Sequence, residues 1–170
     1  EAIMEAKAGL GGEPMRRDAF SPQITVDAPV LIPDGYVPDL ALRMALYRRM
    51  NDLKDKAGIE EFAAEMIDRF GALPEPTENL LILMEIKQLA MLAGVAKIEV
   101  GPKGTLVSFH KDRPPNVEGL IAYARKLGET AKLRMDSKLV INRAWPDAKG
   151  RLNGALQIAR GLAKLNGWRS

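Results

Sequence analysis

Residues 32–50 read IPDGYVPDLALRMALYRRM, and residues 65–74 read EMIDRFGALP. In the first stretch two prolines bracket a loop and make it rigid, because proline fixes its own φ and restricts the residue before it. Asp39 is a suitable N-cap for the helix that follows, whose apolar side chains recur at helical spacing. The second stretch predicts the end of another helix, with a cap at Gly71 and with Pro74 as a barrier to continuation. Helices with well-defined ends therefore dominate this part of the chain.

The composition is that of one folded domain. The chain has 170 residues, of which 46% are hydrophobic, so it can bury a core without disulfides. It contains no cysteine and one histidine, His110. This argues against a secreted disulfide-bonded protein and against a structural zinc site, which needs four nitrogen or sulfur ligands. No apolar run reaches the roughly 18 residues of a membrane-spanning helix. We therefore expect a cytoplasmic protein that binds neither metal nor membrane.

Domain boundaries are indicated by glycine and proline. Residues 1–8 have high helix propensity but no N-cap, and several glycines and a proline follow them. We interpret residues 1–20 as the end of a helix that belongs to a preceding domain, followed by a flexible linker. Residues 21–166 are then the folded domain, and residues 167–170 are a tail.

Hydrophobic periodicity and turn residues predict the other elements. Helices are expected from Asp39, at about 59–70, at 77–93 with Thr77 as N-cap, at 117–127 and at about 151–165, and strands at 24–26, 95–100, 105–109, 133–135 and 138–141. On the second helix we expect Phe62, Met66, Ile67 and Phe70 to be buried. The predicted fold class is α+β, with amphipathic helices packed on a small, mainly antiparallel sheet in a single domain.

The sequence contains no pattern typical of an active site. No segment fits the glycine-rich phosphate loop of a nucleotide-binding protein. The segment from Gly101 to Gly104 has the GXXG form of an RNA-binding loop, but it joins two strands and is read as a hairpin. His110 has no activating partner nearby and is expected to face solvent at a strand end. Glu60 and Glu61 are interpreted as acids that complement the dipole of a helix N-terminus. We therefore predict no catalytic residue and no cofactor of the chain's own.

The aromatic residues near basic ones have two readings. Tyr36 lies between two prolines, and Tyr47 precedes Arg48 and Arg49. Aromatic rings interleaved with basic side chains can stack on bases. More commonly such rings pack at the edge of a hydrophobic core, and we favour that reading.

The charge distribution leaves a nucleic-acid-binding alternative open. The net charge of +3 is too small to indicate nucleic-acid binding by itself. Basic residues are concentrated at 143–169, however, whereas residues 52–68 are rich in acid. The alternative function is a small basic module that binds nucleic acid through Arg43, Arg48, Arg49 and the basic C-terminal segment.

Glu65 and Asp68 are the acidic residues that local structure explains least. Three residues apart, they lie on one side of their helix. Asp68 is close to the C-terminus of that helix, where a negative charge opposes the helix dipole at a cost of about 0.3–1 kcal/mol. Local stability therefore gives no reason for Asp68, whereas a surface that docks on arginines would.

The motif order IPDGYVPD, LRMALYRR and EMIDRFGALP resembles the C-terminal (TRCF) domain of the bacterial transcription-repair coupling factors, the Mfd family. The similarity extends from about Ile24 to Leu165, and the leading EAIMEAKAG is similar to the helix that leaves the family's motor module. The family is implicated in DNA repair. Its full-length members use ATP and Mg²⁺ in the motor to translocate on DNA, displace stalled RNA polymerase and recruit UvrA for nucleotide excision repair.

The resemblance implies a regulatory, non-enzymatic role for this chain. In the family, the C-terminal domain docks on the UvrB-homology module of the same polypeptide, masks the UvrA-binding surface and restrains the translocase until polymerase is engaged. The family's acidic contact positions fall on Glu65 and Asp68, with Met66 in place of the usual leucine. Arg48 and Arg49 are a candidate secondary interface. The implied function is autoinhibition.

Overall fold

The structure, a computed structural model, describes residues 20–169. The predicted leading helix and almost all of the linker lie outside the described residues. Five α-helices run over Leu40–Asn51 (α1), Lys56–Phe70 (α2), Glu75–Ala93 (α3), Val117–Leu127 (α4) and Ala148–Lys164 (α5) in that range. Five strands in the same range run over Gln23–Val26 (β1), Val95–Val100 (β2), Thr105–Phe109 (β3), Ala131–Leu133 (β4) and Leu139–Ile141 (β5).

The strands form one sheet in the order β1-β2-β3-β5-β4. Strand β1 lies parallel to β2, with Ile24 opposite Ile98. The other three pairings are antiparallel, including the hairpin of β2 and β3 that was predicted around Gly101–Gly104. The predicted α+β fold with a mainly antiparallel sheet is confirmed.

Helix α3 connects two hydrophobic cores. Its first half contributes Leu80 and Leu81 to a smaller core, which contains residues of α1, of α2 and of the loop at 30–37. Its second half contributes Ile86 and Leu89 to a larger core with the sheet, α4 and α5. A helix that is apolar on most of its circumference can pack on both. Helices α1 and α2 therefore pack against α3 through their buried sides, and α3 joins them to the rest of the domain.

Helices α2 and α5 begin three residues earlier than the sequence predicts. Helix α2 begins at Lys56 because the Asp55 carboxylate accepts a hydrogen bond of 2.8 Å from the Gly58 N–H. Glu60 and Glu61 consequently lie beyond the first turn, and their interpretation as acids that complement the helix N-terminus is wrong. In the same way, Asp147 caps α5 at Ala148, three residues before the predicted start.

Thr77 is not the N-cap of α3. The helix begins at Glu75 after Pro74, and Thr77 lies within its first turn. The Thr77 hydroxyl instead donates a hydrogen bond of 3.0 Å to the Leu31 carbonyl oxygen. Thr77 therefore links the loop before α1 to α3 by a hydrogen bond, and it does not cap the helix.

His110 and the last strand pair also differ from expectation. The His110 ring stacks on Phe20, with centroids 4.2 Å apart and planes 8° apart, and its Nε2 atom is buried. His110 is therefore half-buried against Phe20, where a solvent-facing side chain was expected. Strand β4 ends at Leu133, so Arg134 and Met135 belong to the turn before β5. The structure adds that Trp168, in the segment assigned to the tail, packs against the larger core.

Candidate docking surface

Helix α2 has one buried side and one open side. Ile59, Phe62 and Met66 recur at helical spacing and are buried in the smaller core. The opposite side, which we call the α2 outer face, carries six exposed residues: Ala57, Glu60, Glu61, Ala64, Ile67 and Asp68. The face is therefore acidic with one large apolar side chain.

Ile67 is a member of this face that sequence reasoning missed. Its side chain is 48% exposed, so the prediction that it is buried is wrong. One position after Met66, it is rotated by about 100° around the helix and away from the core. The inner-face spacing of Ile59, Phe62 and Met66 was the signal that could have identified it. An exposed isoleucine beside acidic residues is a suitable centre for a protein contact.

Glu65 lies at the edge of the α2 outer face and is bound within the domain. Its Oε1 accepts a hydrogen bond of 2.7 Å from Arg49 Nη2, and its Oε2 accepts bonds of 2.8 Å from Arg49 Nη1 and 2.9 Å from Arg69 Nη1. The Arg49 guanidinium also lies over the Phe62 ring at 5.1 Å. The fork geometry of arginine suits this bidentate contact.

The two arginines stabilise the charged form of the Glu65 carboxyl. Hydrogen bonds from Arg49 first, and from Arg69 second, lower the pKa of Glu65 from its ordinary value of 4.5 to about 2. The same pairing raises the pKa of Arg49. Both side chains are more than a third exposed, so solvent screens the interaction and its contribution to stability is under about 1 kcal/mol.

The lowered pKa predicts a pH-dependent loss of stability for this pair. The stabilisation is fully present above the unfolded-state pKa near 4.5 and is lost as the pH falls through the folded-state pKa near 2. We expect the free energy of unfolding of the wild type to exceed that of Glu65→Gln at pH 7, and the difference to shrink as the pH falls from about 4.5 toward 2. Urea unfolding of both proteins from pH 7 to pH 2 measures this difference. A difference that is constant over that range would contradict the assignment.

Asp68 is exposed and has no hydrogen-bond or ion-pair partner among residues 20–169. Although Arg69 is its neighbour in sequence, that guanidinium pairs with Glu65 and lies 5.0 Å from the centre of the Phe70 ring. Glu65 and Asp68 were predicted to lie on one side of the helix and to serve the same surface. The structure gives the two carboxylates different surroundings. Asp68 is available to an external cation, and Glu65 is already bound.

The basic residues of α1 are only partly available. Arg43 Nη1 donates a bond of 2.8 Å to the Val37 carbonyl oxygen, and Arg49 is committed to Glu65. Arg48 is exposed and without an ion pair among the described residues. Of the three arginines in the nucleic-acid alternative, one is therefore free.

Three of the six basic residues in the C-terminal segment are bound within the domain. Arg151 is buried and donates to the carbonyl oxygens of Asp27 and Trp145. Lys149 donates a bond of 2.9 Å to the Asn79 side chain, and Arg160 pairs with Glu85 at 3.1 Å. These contacts join α5 to Asp27, just after β1, and to α3, so these three charges serve the fold. Arg143, Lys164 and Arg169 remain exposed.

The two tyrosines are packing residues, as favoured above. The Tyr47 hydroxyl accepts a bond of 2.7 Å from the Ile32 N–H. The Tyr36 hydroxyl donates a bond of 2.7 Å to the Gly71 carbonyl oxygen, and its ring meets Phe70 edge-on. Both rings pack against the smaller core. They are therefore not free to stack on bases.

Two further kinds of site have no candidate in the part of the chain described. Between residues 20 and 169, no three side chains of the types His, Cys, Asp or Glu lie together so that they could hold a metal ion. None of the helices in that range is long and apolar enough to cross a membrane.

The model of the TRCF domain family matches residues 26–120, more than half of the chain and all of α1, α2 and α3. A transcription-repair-coupling factor from Rickettsia bellii is 35% identical over 141 residues, which are 82% of this chain and 12% of that protein. The transcription-repair-coupling factor of Escherichia coli K12 is 32% identical over 163 residues, which are 95% of this chain and 14% of that protein. The chain therefore spans 12–14% of the length of these relatives.

A solved structure described as the C-terminal domain of transcription-repair coupling factor superposes with a TM-score of 0.75. The two chains share 19% sequence identity, and the superposition covers 86% of this chain and 94% of the other. At that identity the likeness concerns the fold. It includes nearly all of the known domain, in agreement with the α+β arrangement described above.

Proposed function

The chain belongs to the TRCF domain family, and from that premise we propose that it is a non-catalytic autoinhibitory domain of a transcription-repair coupling factor. The domain docks on the UvrB-homology module of the same polypeptide. In the docked state it masks the UvrA-binding surface and restrains an ATP-driven DNA translocase. ATP, Mg²⁺, DNA and RNA polymerase are bound by other parts of the parent protein in this proposal.

The observation that carries the proposal is the α2 outer face. It presents the Asp68 carboxylate, which has no partner among residues 20–169, directly beside an exposed isoleucine, Ile67. Charges of opposite sign on two surfaces steer association and fix its register, and a desolvated apolar centre supplies affinity. The face therefore suits a partner surface that carries arginines around an apolar patch.

The direct test is a pull-down. The 170-residue chain is the bait, and the UvrB-homology module is added as a separate chain. We expect the wild type to retain the module at moderate salt and the Asp68→Arg variant to lose it, because the variant places a cation opposite the partner's arginines. Equal retention by both would contradict docking through the α2 outer face.

The nucleic-acid-binding alternative is separated by its salt dependence. A protein that contacts several phosphates loses affinity steeply as salt rises. With Arg43, Arg49 and Arg151 engaged within the domain, we expect a mobility-shift titration of the chain with duplex DNA to give weak binding. Tight binding that weakens steeply between low and physiological salt would favour the alternative.

Ile67 provides a prediction that is independent of charge. Replacing it by serine should weaken binding to the UvrB-homology module by on the order of ten-fold, because the contact loses its apolar centre. The melting temperature should change little, since the side chain is already half exposed. Leu40→Ser is the matched control, because Leu40 is 61% exposed on α1. Equal weakening by the two variants would argue against a specific role for Ile67.

A further inference from the structure

The two acids assigned to docking differ in how accessible they are to an incoming arginine. A carboxylate offers about four lone-pair sites for hydrogen bonds, and the Glu65 carboxylate already accepts three bonds from Arg49 and Arg69. The two guanidinium groups also repel a third cation. Asp68, three residues further along the same helix, has no such partner among the described residues.

The contact that occupies Glu65 can be exchanged. The Arg49 and Glu65 side chains are 48% and 37% exposed, and an ion pair that is open to solvent contributes little to stability. Arg49 comes from α1 and Glu65 from α2, sixteen residues apart. The Arg49 side chain can therefore leave the carboxylate by a rotation of its own bonds, with no change in either helix.

We propose that Arg49 acts as an internal competitor that occupies Glu65 in the undocked domain and thereby weakens docking. The inference rests on the proposed function, because it presupposes a partner whose arginines use Glu65 and Asp68. Docking begins at Asp68, and the partner then displaces Arg49 from Glu65. The internal pair makes the docked state easier to release than an unoccupied acidic pair would.

Arg125 provides a matched control outside the proposed interface. It lies in the last turn of α4, carries the same charge and is exposed without an ion pair in the described part of the chain. Its removal changes the net charge equally but leaves Glu65 bound. Glutamine is the suitable replacement at both positions, because it keeps part of the aliphatic stem and removes the guanidinium, which at Arg49 lies over the Phe62 ring.

The test is a titration of the 170-residue chain with the UvrB-homology module. We expect Arg49→Gln to lower the Kd roughly three- to five-fold, the equivalent of one exposed ion pair that need not be broken. Arg125→Gln should change the Kd less than two-fold, and Arg49→Gln should give no gain in a chain that also carries Glu65→Ala. Thermal melting of each variant checks that it is folded.

Three results would overturn the inference, and they differ in whether the proposed docking survives. Equal tightening by Arg125→Gln and Arg49→Gln would show that the effect depends only on net charge. Weaker binding by Arg49→Gln would make Arg49 a contact residue instead of a competitor. In both cases the proposed docking survives if Asp68→Arg still abolishes binding. Absence of any binding by the wild type would overturn the docking proposal and the inference together.

Discussion

The full-length coupling factor, truncated so that everything from Gly12 of this chain onward is removed, should hydrolyse ATP faster in the absence of RNA polymerase. The truncated protein should also bind UvrA without activation. The reason is that the proposed docked state holds the translocase inactive and covers the UvrA site. An intramolecular contact favoured by a few kcal/mol keeps an open form below a few per cent, so complete removal of the domain should have the largest effect of any change. The measurements are basal ATPase rate and UvrA affinity of the truncated and full-length proteins.

The control for this truncation is addition of the 170-residue chain in trans. It should lower the ATPase rate of the truncated protein again at concentrations above the Kd for the UvrB-homology module. Because a separate chain lacks the high effective concentration of a tethered one, more of it is required. Unchanged ATPase and UvrA affinity after truncation would contradict the autoinhibitory function.

The parent protein that carries Glu65→Ala together with Asp68→Ala should resemble the truncated protein in activity. Loss of partners from desolvated charge pairs across an interface costs about 2–5 kcal/mol in binding, which is enough to shift a weakly favoured closed state. The domain should stay folded, since Glu65 contributes under about 1 kcal/mol through exposed pairs. Removal of Asp68 relieves an unfavourable charge near the C-terminus of α2. Basal ATPase rate and melting temperature are the two measurements.

The control for the double variant removes two exposed acids that belong neither to α2 nor to the helices packed against it. Glu118 and Glu129, near the two ends of α4, are exposed, and their replacement by alanine changes the net charge equally. If the melting temperature of Glu65→Ala with Asp68→Ala were many degrees lower, those side chains would stabilise the fold and would not be assigned to docking. A normal melting temperature with full inhibition would place the interface elsewhere, first of all around Arg48.

Local signals in the sequence predict most of the helix ends and the fold class. Asp39, Gly71 and Gly94 lie where α1 begins and where α2 and α3 end, because caps depend on residues close in sequence. The parallel pairing of β1 with β2 joins segments about seventy residues apart. Periodicity carries no information on which strands are neighbours, so the order of the sheet required the structure.

The candidate docking surface was likewise predicted only in part from the sequence. Family resemblance assigned Glu65 and Asp68 as docking residues, and the spacing of three put them on one side of a helix. Their different states depend on Arg49, which approaches Glu65 from another helix. Such a contact between elements leaves no pattern in the sequence. Ile67 was missed for a different reason, because hydrophobicity was given more weight than the helical phase set by Phe62 and Met66.

Competition between this chain and UvrA for the UvrB-homology module tests the central claim most directly. The module is immobilised and saturated with UvrA, and the 170-residue chain is then titrated in. The account predicts that the wild type displaces UvrA and that the Asp68→Arg variant, at equal concentration and with a normal melting temperature, does not. A ternary complex in which the chain and UvrA occupy the module together would contradict it.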